Sequence, residues 1–197
     1  MSDYFAVFGL GRGLQVDLPD LQRRFYELSR RHHPDFHQMK SDDERATALE
    51  RSALINRAYR VLRDPIARVE YVIALEEGRE ASDGSVKPKA PSDLLEEMLE
   101  LQEGLEAAKS SGLSAQDRAR FREERQKLIE RQAADEAALI ERFGEWDKTV
   151  ASGRDTSALL ARFKQALATR AYLRTAIDDL GEAVGEDHHA DVAHRRD

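Results

Sequence analysis

The tripeptide His33-Pro34-Asp35 places an imidazole, a rigid ring and a carboxylate side by side. Pro34 fixes its own φ and disfavours the α region for His33, so a preceding helix has to end here. We therefore expect an exposed corner between two helices, where the imidazole and the carboxylate can bind a partner. A metal site at His32, His33 and His37 is disfavoured, because Pro34 interrupts the helix that would align two histidines at i and i+4.

The stretch before this corner has the pattern of an amphipathic helix with one basic face. Asp17 can cap the helix, and Pro19 fits its first turn. Apolar residues at helical spacing predict a buried stripe formed by Leu18, Leu21, Phe25 and Leu28. The arginines fall on a different face, which consists of Arg23, Arg24, Arg30 and Arg31. We expect this basic patch to bind an acidic protein surface, although a purely solvated face is an open alternative.

Cap and turn signals predict four short helices between about residues 4 and 78. The glycine-rich turn at 9–13 ends the first helix. Ser41 and Glu44 form a capping box that opens the third helix, and Pro65 stops it. The order of these signals predicts a helical hairpin with a short helix on either side.

Beyond this first segment, periodicity is lost over 79–91, where Gly, Ser and Pro collect, and then returns without any alternation typical of strands. Three further helices are predicted at about 92–109, 115–150 and 156–184. Short breaks between them favour an antiparallel three-helix bundle, so the predicted fold class is all-α. The predicted ranges are a first domain at 1–78, a linker at 79–91, the bundle at 92–184 and a disordered tail at 185–197.

The first bundle helix carries leucines outside its own core row. That row consists of Leu94, Met98, Leu101, Leu105 and Ala108. Leu95 and Leu99 lie a quarter to a third of a turn away, among the carboxylates of Glu96, Glu100 and Glu103. Tyr172 projects off the core row of the last helix in the same way. Apolar area flanked by charge suits a short basic and apolar peptide, whereas a bundle that buries more than one row would make these leucines core.

Composition excludes several classes of function. The net charge of −7 argues against general affinity for nucleic acid. The count of 0 cysteines excludes disulfides, thiolate metal sites and a cysteine nucleophile, and we predict no cofactor and no metal site. No stretch approaches the about 18 apolar residues of a membrane span, and the N-terminus lacks a signal sequence. We therefore predict a cytoplasmic protein without a membrane partner.

Several motifs carry a family resemblance. The first segment resembles the J-domains of the DnaJ class, through the corner, the basic helix and Asn56-Arg57-Ala58-Tyr59 with the Asp64-Pro65 stop. More narrowly, the chain up to about Val184 resembles the HscB family of J-type co-chaperones of iron–sulfur cluster assembly. The motifs that carry this narrower resemblance are DYFAVFGL at 3–10, ALINRAYRVL at 53–62, DPIARVEY at 64–71 and LLEEMLEL at 94–101.

The resemblance implies a two-part adaptor. Residues 1–78 would be a J-domain that contacts an ATP-driven chaperone of the HscA or DnaK type through His33, Pro34, Asp35, Arg23, Arg24, Arg30 and Arg31. The bundle would bind an IscU-type cluster scaffold through Leu95, Leu99, Glu100, Glu103 and Tyr172. Two positions depart from the family pattern. Phe36 stands where a lysine or arginine is usual after the corner, and Glu96 stands where the family often has an apolar residue.

The function predicted from the sequence is therefore that of a co-chaperone and not of an enzyme. It would deliver a cluster scaffold to the chaperone and stimulate the chaperone's ATPase. No phosphate-binding glycine loop, nucleophile elbow or paired-carboxylate motif is present in the sequence. The alternatives are a general J-type co-chaperone whose bundle binds another client or dimerises, and a purely structural helical spacer.

Overall fold

A computed structural model describes residues 3–32, 41–78 and 90–186 of the chain. Within these ranges the secondary structure is helical, without strands. The helices are α1 Tyr4–Val7, α2 Leu18–Arg31, α3 Asp42–Arg63, α4 Pro65–Glu76, α5 Ser92–Ser111, α6 Ala115–Glu141, α7 Phe143–Ala151 and α8 Ser157–Val184. None of these helices combines the length and the apolar character of a membrane span. The predicted all-α fold is confirmed.

The chain divides into two compact units. The first unit contains Met1–Ser85 and Arg142–Leu159, and the second contains Val86–Glu141 and Leu160–Asp197. Helix α7 therefore belongs to the same unit as α1 to α4. The domain ranges predicted from the sequence, which assigned α7 to the bundle, stay a prediction.

Side-chain caps fix where the helices of the first unit begin. The Asp17 carboxylate accepts a hydrogen bond from the backbone N–H of Asp20 at 3.1 Å. Ser41 and Glu44 form the reciprocal capping box that the sequence predicts. Asp64 ends α3 and caps α4, whose first residue is a proline. Each cap satisfies a backbone donor that the first helical turn would leave unpaired.

Aromatic stacking holds the helices of the first unit together. Phe25 of α2 stacks on Tyr59 of α3 with ring centroids 4.1 Å apart, and Tyr4 of α1 stacks on Tyr71 of α4 at 4.4 Å. The core also contains the fully buried side chains of Phe5, Leu14, Leu21, Leu62 and Val69. Burial of such apolar area is the main stabilising term for a unit of this size.

Two buried or half-buried charged groups fasten the segment before α2. The Asp147 carboxylate on α7 accepts hydrogen bonds from the backbone N–H groups of Leu14 at 2.7 Å and Gln15 at 2.8 Å. Arg68 on α4 is only 4% exposed and donates to the carbonyls of Leu14 and Leu62. Burial lowers the pKa of the Arg68 guanidinium, which keeps its charge because carbonyl oxygens surround it.

Helices α5 and α6, together with α8 from Leu160 onward, form the second unit around one apolar core. Its buried residues include Leu94, Leu105, Phe121, Leu128, Leu173, Ile177 and Leu180. Ion pairs join the helices at the edges of this core: Arg131 of α6 binds Glu97 of α5 at 2.7 Å, and Arg170 of α8 binds Glu136 of α6 at 2.6 Å. The predicted three-helix bundle is present.

The structure corrects the predicted middle helix. The sequence predicts one helix over 115–150, whereas α6 ends at Glu141 and α7 begins at Phe143. The apolar spacing continues across the break, but Phe143 and Trp146 are buried and belong to the first unit. Val150, the last residue of the predicted helix, is 41% exposed. A continuous apolar row therefore serves two separate cores, which periodicity alone does not distinguish.

Candidate functional site

The first candidate surface is the basic face of α2. The corner His33-Pro34-Asp35 that follows it lies outside the described residues. Helix α2 ends at Arg31, and His32 forms its C-cap by donating its backbone N–H to the Leu28 carbonyl. Arg30 and Arg31 are exposed in this last turn, where the helix dipole favours positive charge. The end of α2 that leads into the corner is therefore positively charged.

Arg24 differs from the other arginines of the predicted patch, because its side chain is built into the fold. Its guanidinium donates to the Phe8 carbonyl at 2.8 Å and to the Gly9 carbonyl at 3.3 Å. A further hydrogen bond of 2.7 Å reaches the Asp20 carboxylate. Arg24 thereby satisfies the carbonyls that follow α1 and fixes α1 to α2, so its charge is largely compensated inside the unit.

Arg23 is exposed but paired along its own helix. It binds Asp20, and its Nη1 lies 3.0 Å from the Glu27 carboxylate. Hydrogen bonds from Arg23 and Arg24 lower the pKa of Asp20. Such exposed pairs contribute little to stability and exchange readily for another carboxylate. The predicted patch thus contains one structural arginine, one paired arginine and two exposed arginines at its end.

Tyr26 belongs to this surface, and the sequence analysis missed it. The side chain is 57% exposed, and its hydroxyl lies 3.3 Å from the Gln22 amide nitrogen. Tyr26 follows Arg23 by three residues and precedes Arg30 by four, so all three share one helix face. Its position outside the apolar stripe of α2 was the available sequence signal. An exposed tyrosine between arginines is a typical interface anchor.

The second candidate surface is a groove between α5 and α8 with a volume of about 310 Å³. Its walls bring together Leu95, Leu99 and Tyr172, which the sequence singled out on two different helices. These side chains are 38%, 56% and 38% exposed, respectively. Their exposure argues against the alternative in which these residues only widen the bundle core. The core row of α5, with Leu94 and Leu105 buried, docks the helix without them.

The predicted carboxylates stand beside the groove and not in its wall. Glu100 and Glu103 are exposed on α5 but do not line the groove. The polar groups of the wall are instead Gln102, Thr175 and Asp179, which the sequence analysis missed. Helical periodicity could have identified two of them. Gln102 follows Leu95 by seven residues and Asp179 follows Tyr172 by seven, and residues seven apart lie on the same face of a helix.

The chemistry of the groove is that of a protein-binding surface. Its apolar side chains supply contact area, and the exposed carboxylates around it supply negative potential. Across the described residues, no group of three or more histidines and carboxylates is arranged to hold a metal ion. The groove can therefore bind an apolar and basic segment of another protein.

Comparisons with known proteins agree with this architecture. Residues 3–71 match the family model described as the DnaJ domain. The mouse iron-sulfur cluster co-chaperone protein HscB is 38% identical over 108 residues, which are 55% of this chain and 45% of that protein. A co-chaperone protein HscB homolog of Vibrio campbellii is 40% identical over 104 residues, covering 53% of this chain and 60% of the relative. The chain thus spans about half the length of the curated relatives it matches.

Two solved structures share the fold across both units. HscB from Vibrio cholerae superposes with a TM-score of 0.64 at 22% identity and covers 94% of this chain and 99% of that one. The human co-chaperone protein HscB superposes with a TM-score of 0.63 at 22% identity, covering 92% of this chain and 82% of its own. The chain therefore matches the DnaJ domain at 3–71, is similar in sequence to HscB proteins over about half of its length, and shares the fold of two HscB structures over nearly all of it.

Proposed function

We propose that this chain is a J-type co-chaperone of iron–sulfur cluster assembly. It binds an IscU-type scaffold, delivers the scaffold to an HscA- or DnaK-type chaperone and stimulates that chaperone's ATPase. The observation that carries the proposal is the presence of two exposed surfaces of opposite chemistry. The basic, tyrosine-bearing face of α2 belongs to a DnaJ domain, and the acidic-edged apolar groove belongs to the second unit.

The chaperone side of the proposal uses the corner and the end of α2. His33, Pro34 and Asp35 would contact the chaperone directly, as the family resemblance implies. Arg30 and Arg31 extend the same surface with exposed positive charge, and Tyr26 adds apolar area. In this proposal Arg24 acts indirectly, because it holds α2 in place against the carbonyls after α1.

Stimulation of the chaperone follows from differential binding. A J-domain that binds the hydrolysis-prone state of the chaperone more tightly than its resting state shifts the population toward hydrolysis. ATP is hydrolysed at the chaperone's own nucleotide site. The co-chaperone itself performs no covalent step, and it needs no cofactor, nucleic acid or membrane for this role. We place this role in the cytoplasm.

The scaffold side uses the groove. Leu95, Leu99 and Tyr172 are the apolar anchors, because they are exposed and lie together around one cavity. Glu100 and Glu103 on the adjoining face of α5 would orient a basic partner surface before contact. A chain that holds the scaffold and the chaperone together raises the effective concentration of one at the other.

The test is a single-turnover ATPase assay with purified HscA-type chaperone and IscU-type scaffold. The wild-type chain is expected to accelerate hydrolysis, and the scaffold is expected to increase the acceleration further. Asp35→Asn should abolish the acceleration while scaffold binding, measured by calorimetry, is retained. An unchanged rate with Asp35→Asn would refute the role assigned to the corner. Recovery of diverse unfolded proteins but no cluster scaffold in a pull-down would favour a general J-type co-chaperone instead.

A further inference from the structure

We infer that Asp179 makes the groove selective for a segment that carries a basic side chain about 10 Å from its apolar anchor. Asp179 is thereby a specificity residue for the partner. The inference rests on the proposed scaffold-binding function of the groove and specifies the chemistry of what the groove accepts. It depends on the order of the groove residues, on the exposure of Asp179 without an ion pair to the described residues, and on the length of the groove between its two ends.

The order of the wall residues gives the groove an apolar end and a polar end. The contacts between α6 and α8 run in opposite directions along the two helices: Arg170 binds Glu136, Arg125 donates to the Ile177 carbonyl and Arg118 donates to the Ala183 carbonyl. Helices α6 and α8 are therefore antiparallel. Because the short 112–114 turn makes α5 antiparallel to α6 as well, α5 and α8 run parallel.

This parallel course sets which residues face each other across the groove. Arg131 of α6 pairs with Glu97 of α5, between Leu95 and Leu99. These two leucines therefore lie opposite Tyr172, the first residue that α8 contributes to the groove wall. Six residues earlier on α6, Arg125 donates to the Ile177 carbonyl. Asp179 therefore lies at the end of the groove where α5 contributes Gln102. The apolar anchors thus stand at one end of the groove and the carboxylate at the other.

Asp179 is available for a partner. Its side chain is exposed, and it forms no ion pair with the described residues, whereas its neighbour Asp178 pairs with Arg174 at 3.9 Å. The wall around Asp179 is largely apolar, with Ala176 and Leu180 adjoining it. A carboxylate beside apolar surface attracts a cation more strongly than one in bulk water, because the effective dielectric is lower. A basic side chain from the partner is the group that fits this end.

The spacing of the two ends gives the register of the bound segment. Asp179 follows Tyr172 by seven residues on α8, and at 1.5 Å per residue the separation along the axis is about 10 Å. A helical partner segment spans this distance between positions i and i+7. An extended segment spans it with three residues at about 3.3 Å each. The accepted segment therefore pairs a leucine- or phenylalanine-sized side chain with a lysine or arginine at one of these two spacings.

The experiment measures binding of purified IscU-type scaffold to four forms of the full chain by calorimetry. Asp179→Asn is expected to raise Kd by about fivefold, the upper range for an exposed ion pair, and Asp179→Lys by more than about tenfold through repulsion. Glu182→Gln removes an equal charge one turn further along α8, outside the groove, and should change Kd by less than about twofold. Added salt should weaken the wild type more than Asp179→Asn. Equal effects of Asp179→Asn and Glu182→Gln would overturn the inference.

A second arm keeps the inference separate from the identity of the partner. Two capped helical peptides carry leucine at position i and either arginine or glutamate at i+7, and their binding is followed by chemical-shift titration. The wild-type chain should bind the arginine peptide at least about threefold more tightly, and Asp179→Asn should erase this preference. If the scaffold fails to bind the wild type, the proposed function falls, but the peptide pair still decides the inference. Equal binding of both peptides, or no binding of either, overturns it.

Discussion

The basic face of α2 and the groove between α5 and α8 differ in how many of their side chains make contacts that hold the fold together. On α2, Arg24 is bonded to two backbone carbonyls and Arg23 to two carboxylates. In the groove, Leu95, Leu99 and Tyr172 remain between 38% and 56% exposed although the core beside them is complete. Charge in the first unit therefore serves the fold, whereas these three groove side chains lie outside the buried core.

This difference means that residue type does not predict role in this chain. An arginine of the predicted patch holds α1 against α2, and an exposed leucine of the bundle is a candidate anchor for a partner. The consequence is experimental: substitutions in the groove should separate binding from stability, while substitutions among the charged residues of the first unit should combine the two.

Arg68→Ala should cause the largest loss of stability. The guanidinium is 4% exposed and donates to the carbonyls of Leu14 and Leu62, so its removal leaves buried acceptors without donors. We expect the free energy of unfolding to fall by about 3 kcal/mol or more, measured by urea titration. Arg60→Ala removes an exposed arginine from α3 and should cost less than about 0.5 kcal/mol. Equal losses of unfolding free energy in the two variants would show that the hydrogen bonds of Arg68 do not stabilise the fold.

Replacing both exposed leucines of the groove should have the opposite profile. Leu95→Ala combined with Leu99→Ala should raise the Kd for the IscU-type scaffold by about 30-fold, or about 2 kcal/mol, because interface anchors dominate affinity. The melting temperature should change by no more than about 2 °C, since neither side chain is buried.

The matched control for this pair is Ile140→Ala. Ile140 is 41% exposed on α6 of the same unit and does not line the groove, so its replacement should change neither affinity nor melting. A large melting loss in the double-leucine variant would assign Leu95 and Leu99 to the core. The contrast between the two regions would then disappear.

The features that sequence reasoning predicted well are set by neighbouring residues. The Ser41–Glu44 box and the Asp17 and Asp64 caps depend on contacts three residues apart, and all of them are present. The amphipathic period of α5 likewise placed Leu95 and Leu99 off the core row, as their exposure confirms. Local hydrogen bonds and helical geometry determine these features, so a short window of sequence contains them.

The missed features depend on residues that are distant in sequence. Arg24 binds carbonyls 15 and 16 positions away, and Asp147 caps a segment more than 130 residues earlier. The membership of Asp179 in the groove wall depends on how α8 packs on α5. A charge pattern is compatible with several such pairings, and only tertiary packing selects one of them. The roles assigned to the corner, the patch and the groove residues stay predictions.

Arginines of α2 should separate according to their contacts. Arg24→Ala should lower the free energy of unfolding by about 1 to 2 kcal/mol, because two carbonyls after α1 and the Asp20 carboxylate lose their donor. Arg30→Ala should leave stability within about 0.5 kcal/mol of wild type but reduce the single-turnover ATPase stimulation by at least about threefold. If Arg24→Ala is as stable as Arg30→Ala, the structural role given to Arg24 is wrong.

The smallest effect should come from two glycines that bound the second half of α5. Gly104 lies within the helix, and apart from the adjacent residues and the backbone of its own helix no atom lies within 4 Å of where a methyl group would stand. Gly104→Ala should therefore stabilise the chain by up to about 1 kcal/mol and raise Tm by about 2 to 4 °C. Gly112 has a φ of +81° at the C-cap, and Gly112→Ala should destabilise by about 1 kcal/mol. Scaffold affinity should be unchanged in Gly104→Ala, because Gly104 does not line the groove. Weaker binding by this more stable variant would mean that α5 must bend to receive its partner. The groove would then require a flexible helix, whereas the α2 face contains side chains that are held in place by the fold.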